Sequence, residues 1–245
     1  MPRGVVFRAE AGRLGDWVDH TLLRADATAA EIDRLCAEAV THRFAAVCVN
    51  PQWVNRCRET LGLRTNIAVA AVVGFPLGAS TSAVKAAEAA GAVEQGAGEL
   101  DMVAALGAIK DGDWEYVERD IRSVVEAADG ALVKVIIESA ALTPSEIVRS
   151  CRIARDAGAH YVKTSTGMHS AGGATPTAVA LMRMAVGDDL GVKASGGVRD
   201  CAGAFALIES GATRIGTSGG VALADCVGPA PKPLCELFGD GRDRN

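Results

Sequence analysis

The chain has 245 residues, of which 49% are hydrophobic and 22% charged, with a formal net charge of −5 at pH 7. This length and composition are sufficient for a large buried core, and the negative net charge argues against a general nucleic-acid-binding protein. Because no run of about 20 apolar residues is present, we expect no membrane contact. The N-terminal residues lack the pattern of a secretory signal peptide, so the expected compartment is the cytoplasm.

The seven cysteines are spread along the chain, and none belongs to a C-x-x-C pair. In an intracellular chain of this length we expect most of them to be small buried hydrophobic residues, and neither a zinc site nor a disulfide framework. Cys48, at the end of a predicted strand, is expected to be a buried, inert thiol. The four histidines show no metal-ligand spacing, so no metal site is predicted.

Short β-prone runs alternate with amphipathic helical segments along nearly the whole chain, a pattern typical of a parallel sheet covered by helices. About eight strands are predicted, and in chain order they span residues 17–20, 45–49, 67–73, 99–103, 132–137, 161–163, 192–194 and 214–215. Side chains suited to helix N-capping lie between these strands, at Thr28, Asp113, Thr143 and Thr175.

Eight strand–helix units in a chain of this length predict an α/β protein built as a single (β/α)8 TIM barrel. A doubly wound sheet is the structural alternative, but it would carry a G-x-G-x-x-G motif after the first strand, and the sequence has none there. No proline- or serine-rich linker divides the sequence, so we expect one domain over residues 1–245. Within it, residues 1–15 are expected to form a short N-terminal extension, and residues 229–245 a loosely attached tail.

Three of the six lysines lie inside predicted strands, about one strand–helix unit apart, at Lys134, Lys163 and Lys193. In a barrel they would occupy three consecutive strands, and neighbouring strands are about 4.8 Å apart. Lys163 and Lys193 could therefore bring their ammonium groups close together, and like charge and desolvation both lower a lysine pKa. A partly neutral lysine can attack a carbonyl carbon and form a Schiff base, which an arginine cannot do.

The alternative for each of these lysines, taken alone, is a strand end whose ammonium group reaches solvent. Three lysines at one-unit spacing favour a shared chemical role over three separate surface positions. Lys85, in a predicted helix, and Lys110, in a predicted loop, are expected to be surface residues.

Two acids lie in the fourth predicted strand, where alternation directs Glu99 and Asp101 to the same face. Asp101 is a candidate to pair with a strand lysine and move protons, and a structural salt bridge inside the barrel is the alternative. Glu99 and Glu138 are assigned the structural role.

Glycine-rich turns follow the last two predicted strands, at residues 195–198 and 216–220. In barrels of this type the backbone N–H groups of the corresponding loops often hold a phosphate group, although tight turns alone also favour glycine. The second turn matches the G-x-S-x-G pattern of hydrolases, but no histidine follows Ser218 in the chain. The hydrolase mechanism is therefore rejected.

Eight segments of the sequence, taken in order, resemble the deoxyribose-phosphate aldolase family. They are DHTLLR at 19–24, VCVNP at 47–51, VGFPLG at 73–78, ELDMV at 99–103, KVIIE at 134–138, VKTSTG at 162–167, VKASGGVR at 192–199 and RIGTS at 214–218. The resemblance extends from the first predicted strand to the eighth, and the ordered set is specific.

The resemblance implies a class I aldolase, a lyase that cleaves 2-deoxy-D-ribose 5-phosphate reversibly to D-glyceraldehyde 3-phosphate and acetaldehyde. It implies that Lys163 forms the Schiff base, that Lys193 perturbs this lysine and takes part in proton transfer, and that Asp101 relays protons with a water molecule. Substrate or phosphate contacts are implied for Thr164, Gly196, Gly197, Ser218 and Gly219.

The resemblance also implies that no metal or organic cofactor is needed, because the imine itself withdraws electrons. It implies a homodimer or homotetramer that acts on a small phosphosugar. The sequence departs from the family where Gly219 replaces a frequent second serine, where Met168 replaces a lysine of some members, and in a tail without tyrosine. These departures concern substrate affinity and rate.

Two alternatives remain open at this point. Another Schiff-base barrel aldolase could act on a ketose phosphate, with dihydroxyacetone phosphate as the donor. A non-catalytic protein could instead bind a sugar phosphate without turnover.

Overall fold

The computed structural model describes residues 14–62 and 65–227 of the chain. All eight strands are parallel, and each pairs with the next until β8 pairs with β1, which closes a barrel. The strands are β1 (Val18–Leu22), β2 (Ala46–Val49), β3 (Ala68–Val73), β4 (Glu99–Val103), β5 (Leu132–Ile136), β6 (Tyr161–Lys163), β7 (Gly191–Ser195) and β8 (Arg214–Thr217). The predicted (β/α)8 TIM barrel is therefore confirmed.

Helices connect the strands around the outside of the barrel. Within the described ranges the α-helices are α1 (Ala29–His42), α2 (Val54–Leu61), α3 (Ser82–Glu94), α4 (Leu106–Asp111), α5 (Trp114–Ala127), α6 (Pro144–Asp156), α7 (Pro176–Val186), α8 (Cys201–Glu209) and α9 (Gly220–Val227). Short 3-10 turns add Leu14–Trp17, Pro51–Trp53 and Ser139–Ala141.

The predicted helix starts are confirmed, because their capping side chains bond to the first helical turn. Thr28 begins α1 and Thr143 begins α6, each with a complete capping box. Asp113 and Thr175 accept backbone N–H groups three residues ahead, at the starts of α5 and α7. These starts are predictable from sequence, since donor and acceptor are separated by only three positions.

The predicted strand ends differ from the structure mainly in β1, β7 and β8. Strand β1 begins at Val18 and continues to Leu22, and β8 continues to Thr217. The residues added to β1 and β8 look polar or turn-like in the sequence. However, every strand of the closed barrel has a hydrogen-bonding neighbour on both sides, and this pairing overrides local propensity.

The apolar core fills the space between the barrel and its helices. Its fully buried strand residues include Val47, Leu100, Val135, Val162 and Ile215. Inside the barrel, a small apolar cluster of Cys48, Ala70 and Val72 lies on the side of β2 and β3. The interior also holds several buried charged side chains.

The cysteines follow the prediction in part. Four are free and buried, namely Cys36, Cys48, Cys57 and Cys151. Cys201 and Cys226 lie side by side, with their Cα atoms 6.7 Å apart, a pairing that the sequence analysis does not predict. The two residues belong to α8 and α9, whose contact across β8 is a tertiary feature that their sequence spacing does not show.

The prediction that Lys85 is a surface residue is wrong. Its side chain is fully buried, and Lys85 Nζ donates to Asp120 Oδ2 at 2.6 Å and to the carbonyl oxygen of Val103 at 2.9 Å. The partner acid lies on α5, 35 positions away, so nothing local in the sequence marks the pair. Lys110 is half-exposed as expected, although it lies in α4 and not in a loop.

The predicted N-terminal extension and C-terminal tail lie outside the described residues, except that Leu14 and Gly15 belong to the 3-10 turn before β1. That residues 1–245 form one domain stays a prediction. None of the helices in the described ranges has both the length and the apolar character that a membrane crossing requires.

Replacing Lys85 with Met is expected to lower the free energy of unfolding by about 3–5 kcal/mol, because Asp120 would remain buried without its partner. The matched control is Lys110→Met, since an exposed pair such as that of Lys110 with Glu146 contributes about 0–1 kcal/mol. Urea unfolding of the two variants measures the difference. Equal losses would show that the buried pair matters no more than the surface pair.

Candidate active site

A cavity of about 560 Å³ opens at the C-terminal end of the barrel strands. Its wall is formed by Lys163 together with the loops that follow β1, β6, β7 and β8. This is the end of a (β/α)8 barrel where strand-end side chains and loops converge on a ligand. A second cavity, of about 660 Å³, lies beside the loop after β3 and has Glu88 but no lysine in its lining.

Lys163 ends β6 at the floor of the first cavity, with only 3% of its surface exposed. Its Nζ atom donates to Asp101 Oδ2 at 2.7 Å. Burial lowers the pKa of Lys163, and the charge of Lys193 lowers it further, against the opposing attraction of Asp101. The net pKa lies below the ordinary lysine value, which increases the fraction of reactive free amine at neutral pH.

Asp101, in the middle of β4, is the point where the three strand lysines meet. Oδ2 of Asp101 accepts from both Lys163 and Lys193 at 2.7 Å, and Oδ1 accepts from Lys134 at 2.7 Å. Burial alone would raise the pKa of this carboxyl group, but the three ammonium groups outweigh it and hold the pKa well below its ordinary value. The prediction that these lysines lie on three consecutive strands is confirmed, whereas their shared contact with one acid was not predicted.

Lys193, in the middle of β7, is fully buried and is paired with Lys163 on the neighbouring strand. Its Nζ atom donates to Asp101 and also to Asp19 of β1. Burial alone would lower the pKa of Lys193, yet these two carboxylates raise it above the ordinary value. The neighbouring strand provides space for this side chain at Gly216, where a Cβ atom would lie 3.0 Å from Lys193 Cε.

Deeper in the barrel, a second group of ion pairs supports the first. Lys134 Nζ lies 2.5 Å from Glu99 Oε2 and 3.5 Å from Asp19 Oδ2. Arg214 of β8 donates to Asp19 Oδ1 at 2.6 Å and approaches Glu99 Oε1 at 3.4 Å. Glu99 therefore has the structural role assigned to it.

The glycine turns after β7 and β8 contribute much of the cavity wall. Gly196 and Gly197 line the cavity with φ angles of 86° and 81°, a conformation that favours glycine. Ser218 also lines the cavity and is exposed. Gly219 lies next to it, but its N–H donates to Thr217 Oγ1 at 2.9 Å.

Thr164, predicted beside the nucleophile, is buried behind the cavity wall. Its Oγ1 atom donates to the carbonyl oxygen of Ser195 at 3.1 Å and accepts from Ser195 N–H at 3.0 Å. Glu138 is likewise buried and accepts from both the N–H and the hydroxyl of Thr166. These bonds hold the loop after Lys163 in position, and the predicted substrate contacts of Thr164 and Gly219 stay predictions.

Sequence reasoning did not identify several residues of the site. Arg24 and Arg199 line the cavity, and Asp19 and Arg214 belong to the buried ion pairs. All four fall within the segments that carried the family resemblance. The alternation of β1 and β8 directs Asp19 and Arg214 inward, and the position of Arg199 after a glycine turn is the signal for an anion-binding side chain.

Cys48 lies inside the barrel with its Sγ atom 3.9 Å from Asp101 Oδ2. Burial and the neighbouring carboxylate raise the pKa of this thiol, as expected for an inert cysteine. His20 pairs with Glu38 of α1 at 2.6 Å. In the described part of the chain, no group of three or more His, Cys, Asp or Glu residues is arranged to hold a metal ion.

Several known proteins with similar sequences and structures are named as aldolases. A model of the family described as DeoC/LacD family aldolase matches residues 16–225. A deoxyribose-phosphate aldolase from Geobacillus sp. (strain WCH70) is 59% identical over 209 residues, which cover 85% of this chain and 93% of that protein. One from Exiguobacterium sp. is 54% identical over 210 residues, which cover 86% of this chain and 95% of that protein.

Among solved structures, a tetrameric deoxyribose phosphate aldolase from Aeropyrum pernix superposes with a TM-score of 0.79 at 34% identity. The match covers 86% of this chain and 89% of that one. The segment matched by the family model includes all eight strands of the barrel and the lysine–aspartate cluster. The chain therefore belongs to the DeoC/LacD family of aldolases.

Proposed function

We propose that this protein is a class I deoxyribose-phosphate aldolase, which cleaves 2-deoxy-D-ribose 5-phosphate reversibly to D-glyceraldehyde 3-phosphate and acetaldehyde. The observation that carries the proposal is Lys163, a lysine with a lowered pKa on the cavity floor, hydrogen-bonded to Asp101 at 2.7 Å. The relatives named above, at 54–59% identity, support the same substrate.

The reaction begins when the free amine of Lys163 attacks C1 of the open-chain sugar. The carbinolamine that forms loses its hydroxyl group as water, with a proton supplied by Lys193, and gives a protonated imine. Lys193 suits this step because its raised pKa keeps it protonated. Lys163 suits the attack on C1 because its lowered pKa favours the unprotonated amine, and only the unprotonated amine is a nucleophile.

Carbon–carbon cleavage follows. Asp101, acting with a water molecule, takes the proton of the C3 hydroxyl group, and C3 becomes the carbonyl carbon of D-glyceraldehyde 3-phosphate. The electron pair of the C2–C3 bond moves towards the imine and leaves a neutral enamine on Lys163. Loss of the imine's positive charge in the same step raises the proton affinity of Asp101. Positioned acid–base groups of this kind accelerate a step by about 10²- to 10⁴-fold.

The proton held by Asp101 is then delivered to C2 of the enamine. Water hydrolyses the resulting imine to acetaldehyde and free Lys163, and the proton released in this step returns to Lys193. One water is released on imine formation and one is consumed here, so the atoms balance. The imine acts as the electron acceptor, and the chain's own lysines and Asp101 supply the acid and base for these steps.

The glycine turns form the proposed phosphate site. Gly196, Gly197 and Ser218 offer backbone or hydroxyl donors on one side of the cavity, with Arg24 and Arg199 as cations in the same wall. Binding energy from the phosphate group positions the reacting carbons over Lys163. We further propose a cytoplasmic homo-oligomer, either a dimer or a tetramer, which the tetrameric relative supports.

Borohydride trapping with acetaldehyde tests the proposal, followed by peptide mass mapping. A reduced ethyl adduct on Lys163 is expected, and Lys163→Arg is expected to fold normally but to lose both the adduct and turnover, because arginine stays protonated. An adduct on Lys134 or Lys193 would overturn the assigned nucleophile. An adduct with dihydroxyacetone phosphate but none with acetaldehyde would indicate a ketose aldolase. Binding of the sugar phosphate without any adduct would indicate a non-catalytic protein.

Lys193→Leu is expected to move the acidic limb of the pH–rate profile to higher pH. Removing this ammonium group ends its repulsion of Lys163 and leaves Asp101 with one fewer competing cation, so the pKa of Lys163 rises. The measurement is kcat/KM for the sugar phosphate across pH, with Lys110→Leu as the surface control. An acidic limb that stays in place would contradict the role assigned to Lys193.

Ser218→Ala is expected to raise KM for the sugar phosphate about tenfold. A hydrogen bond to a charged group contributes about 1.5–3 kcal/mol, and about 1.4 kcal/mol corresponds to a factor of ten. Unphosphorylated 2-deoxyribose, assayed with the same variant, serves as the control, because it lacks the group that Ser218 would bind. Equal changes for both sugars would argue against a phosphate contact.

A further inference from the structure

The charged side chains inside the barrel do not balance. Among the described residues, the connected ion pairs join three carboxylates to four cations when every group is ionised. The carboxylates are Asp19, Glu99 and Asp101, and the cations are Lys134, Lys163, Lys193 and Arg214. All are buried except for a small part of Arg214.

An unbalanced charge in a water-poor interior costs several kcal/mol, and an ionisable group usually releases or takes up a proton to avoid that cost. Arginine does not release its proton in proteins. The excess charge of this cluster can therefore be removed by one of the three lysines, and the contacts of each lysine decide which.

Lys134 contacts all three carboxylates, at 2.5 Å from Glu99, 2.7 Å from Asp101 and 3.5 Å from Asp19. Lys193 contacts two of them, Asp101 and Asp19. Lys163 contacts only Asp101 among these acids, through an oxygen that Lys193 also uses. Lys163 is therefore the lysine with the least compensation for its charge.

We propose that Lys134 is a positioning residue for the reaction, which occupies the buried carboxylates and thereby leaves Lys163 as the unprotonated amine. This inference rests on the proposed function, because it concerns the nucleophile of the same site. Lys134 lies outside the cavity lining, so it acts through the charge balance of the cluster and not by touching substrate.

The groups that face Lys163 fit this account. Asp101 attracts its proton, whereas Lys193 and Lys134 compete for the same carboxylate. Burial lowers the pKa of Lys163, while the pKa of Lys134 lies well above the ordinary value. The other titratable or charged groups around the cluster and the cavity are Asp19, Glu31, Cys48, Glu99, Glu138, Tyr161, Arg24, Arg34, Arg199 and Arg214, and β3 adds the uncharged Ala70 and Val72.

Lys134→Met tests the inference with a side chain of similar length and no charge. The cluster then has three cations for three carboxylates, so Lys163 can keep its proton without excess charge. We expect the acidic limb of kcat/KM, and of acetaldehyde trapping at Lys163, to move up by at least about one pH unit. Activity near neutral pH is expected to fall about tenfold and to recover at higher pH, whereas purely structural damage would persist at every pH.

Glu99→Gln provides the opposite change at the same ion pair. With one carboxylate removed, the excess of positive charge grows, and the acidic limb is expected to move to lower pH. The double variant Lys134→Met/Glu99→Gln restores an excess of one cation, so its limb is expected to return towards that of the unmodified protein. Damage from disrupted packing would instead add up in the double variant.

Each outcome has a definite meaning. Folded Lys134→Met with an unshifted limb would overturn the inference, as would Glu99→Gln with an unshifted limb or one that moves to higher pH. If Lys134→Met fails to fold, the direction of the Glu99→Gln shift decides alone. If the unmodified protein gives no adduct at Lys163, the proposed function itself fails, whereas trapping with unshifted variants rejects only the role of Lys134.

Discussion

The site depends on one shared carboxylate. Asp101 accepts hydrogen bonds from the Nζ atoms of three lysines at 2.7 Å, and without its charge the protonated lysines would repel one another inside the barrel. Parallel pairing makes this possible, because β4 brings the acid while β5, β6 and β7 bring one lysine each. The fold thus brings three lysines that are regularly spaced in the sequence into hydrogen-bonding distance of one carboxylate.

Small and large side chains occupy opposite sides of the barrel interior, and this arrangement leaves room for the lysine–aspartate cluster. On one side β2 and β3 contribute the small side chains of the apolar cluster, and on the other side the long charged side chains need room. Gly191 provides some of it, since a Cβ atom there would collide with the ring of Tyr161. That ring in turn lies under the guanidinium of Arg214 at 5.8 Å, so a missing side chain on one strand helps to position a cation on another.

Sequence reasoning was strongest where the determining contacts are local or periodic. The helix starts and the alternation of strands and helices are of this kind, and so is the regular spacing of Lys134, Lys163 and Lys193. It was weakest where a partner is distant in the chain. Lys85 is predicted to be a surface residue because its partner Asp120 lies 35 positions away, and the closeness of Cys201 and Cys226 is not predicted for a similar reason. The excess of positive charge in the lysine–aspartate cluster is also not predictable from the sequence, because it depends on which strand residues share the barrel interior.

The closure of the barrel has a consequence for the pKa of Lys163. Asp19 comes from β1, the first strand to be synthesised, and binds Lys193 of β7 and Arg214 of β8, the last. A chain without β8 cannot close the barrel or pair Asp19 with Arg214, so its lysines would be more accessible to water. Exposure to water moves a lysine pKa towards its ordinary value of about 10.4, so the amine would be protonated at neutral pH. The lowered pKa of Lys163 therefore depends on the pairing of the first strand with the last.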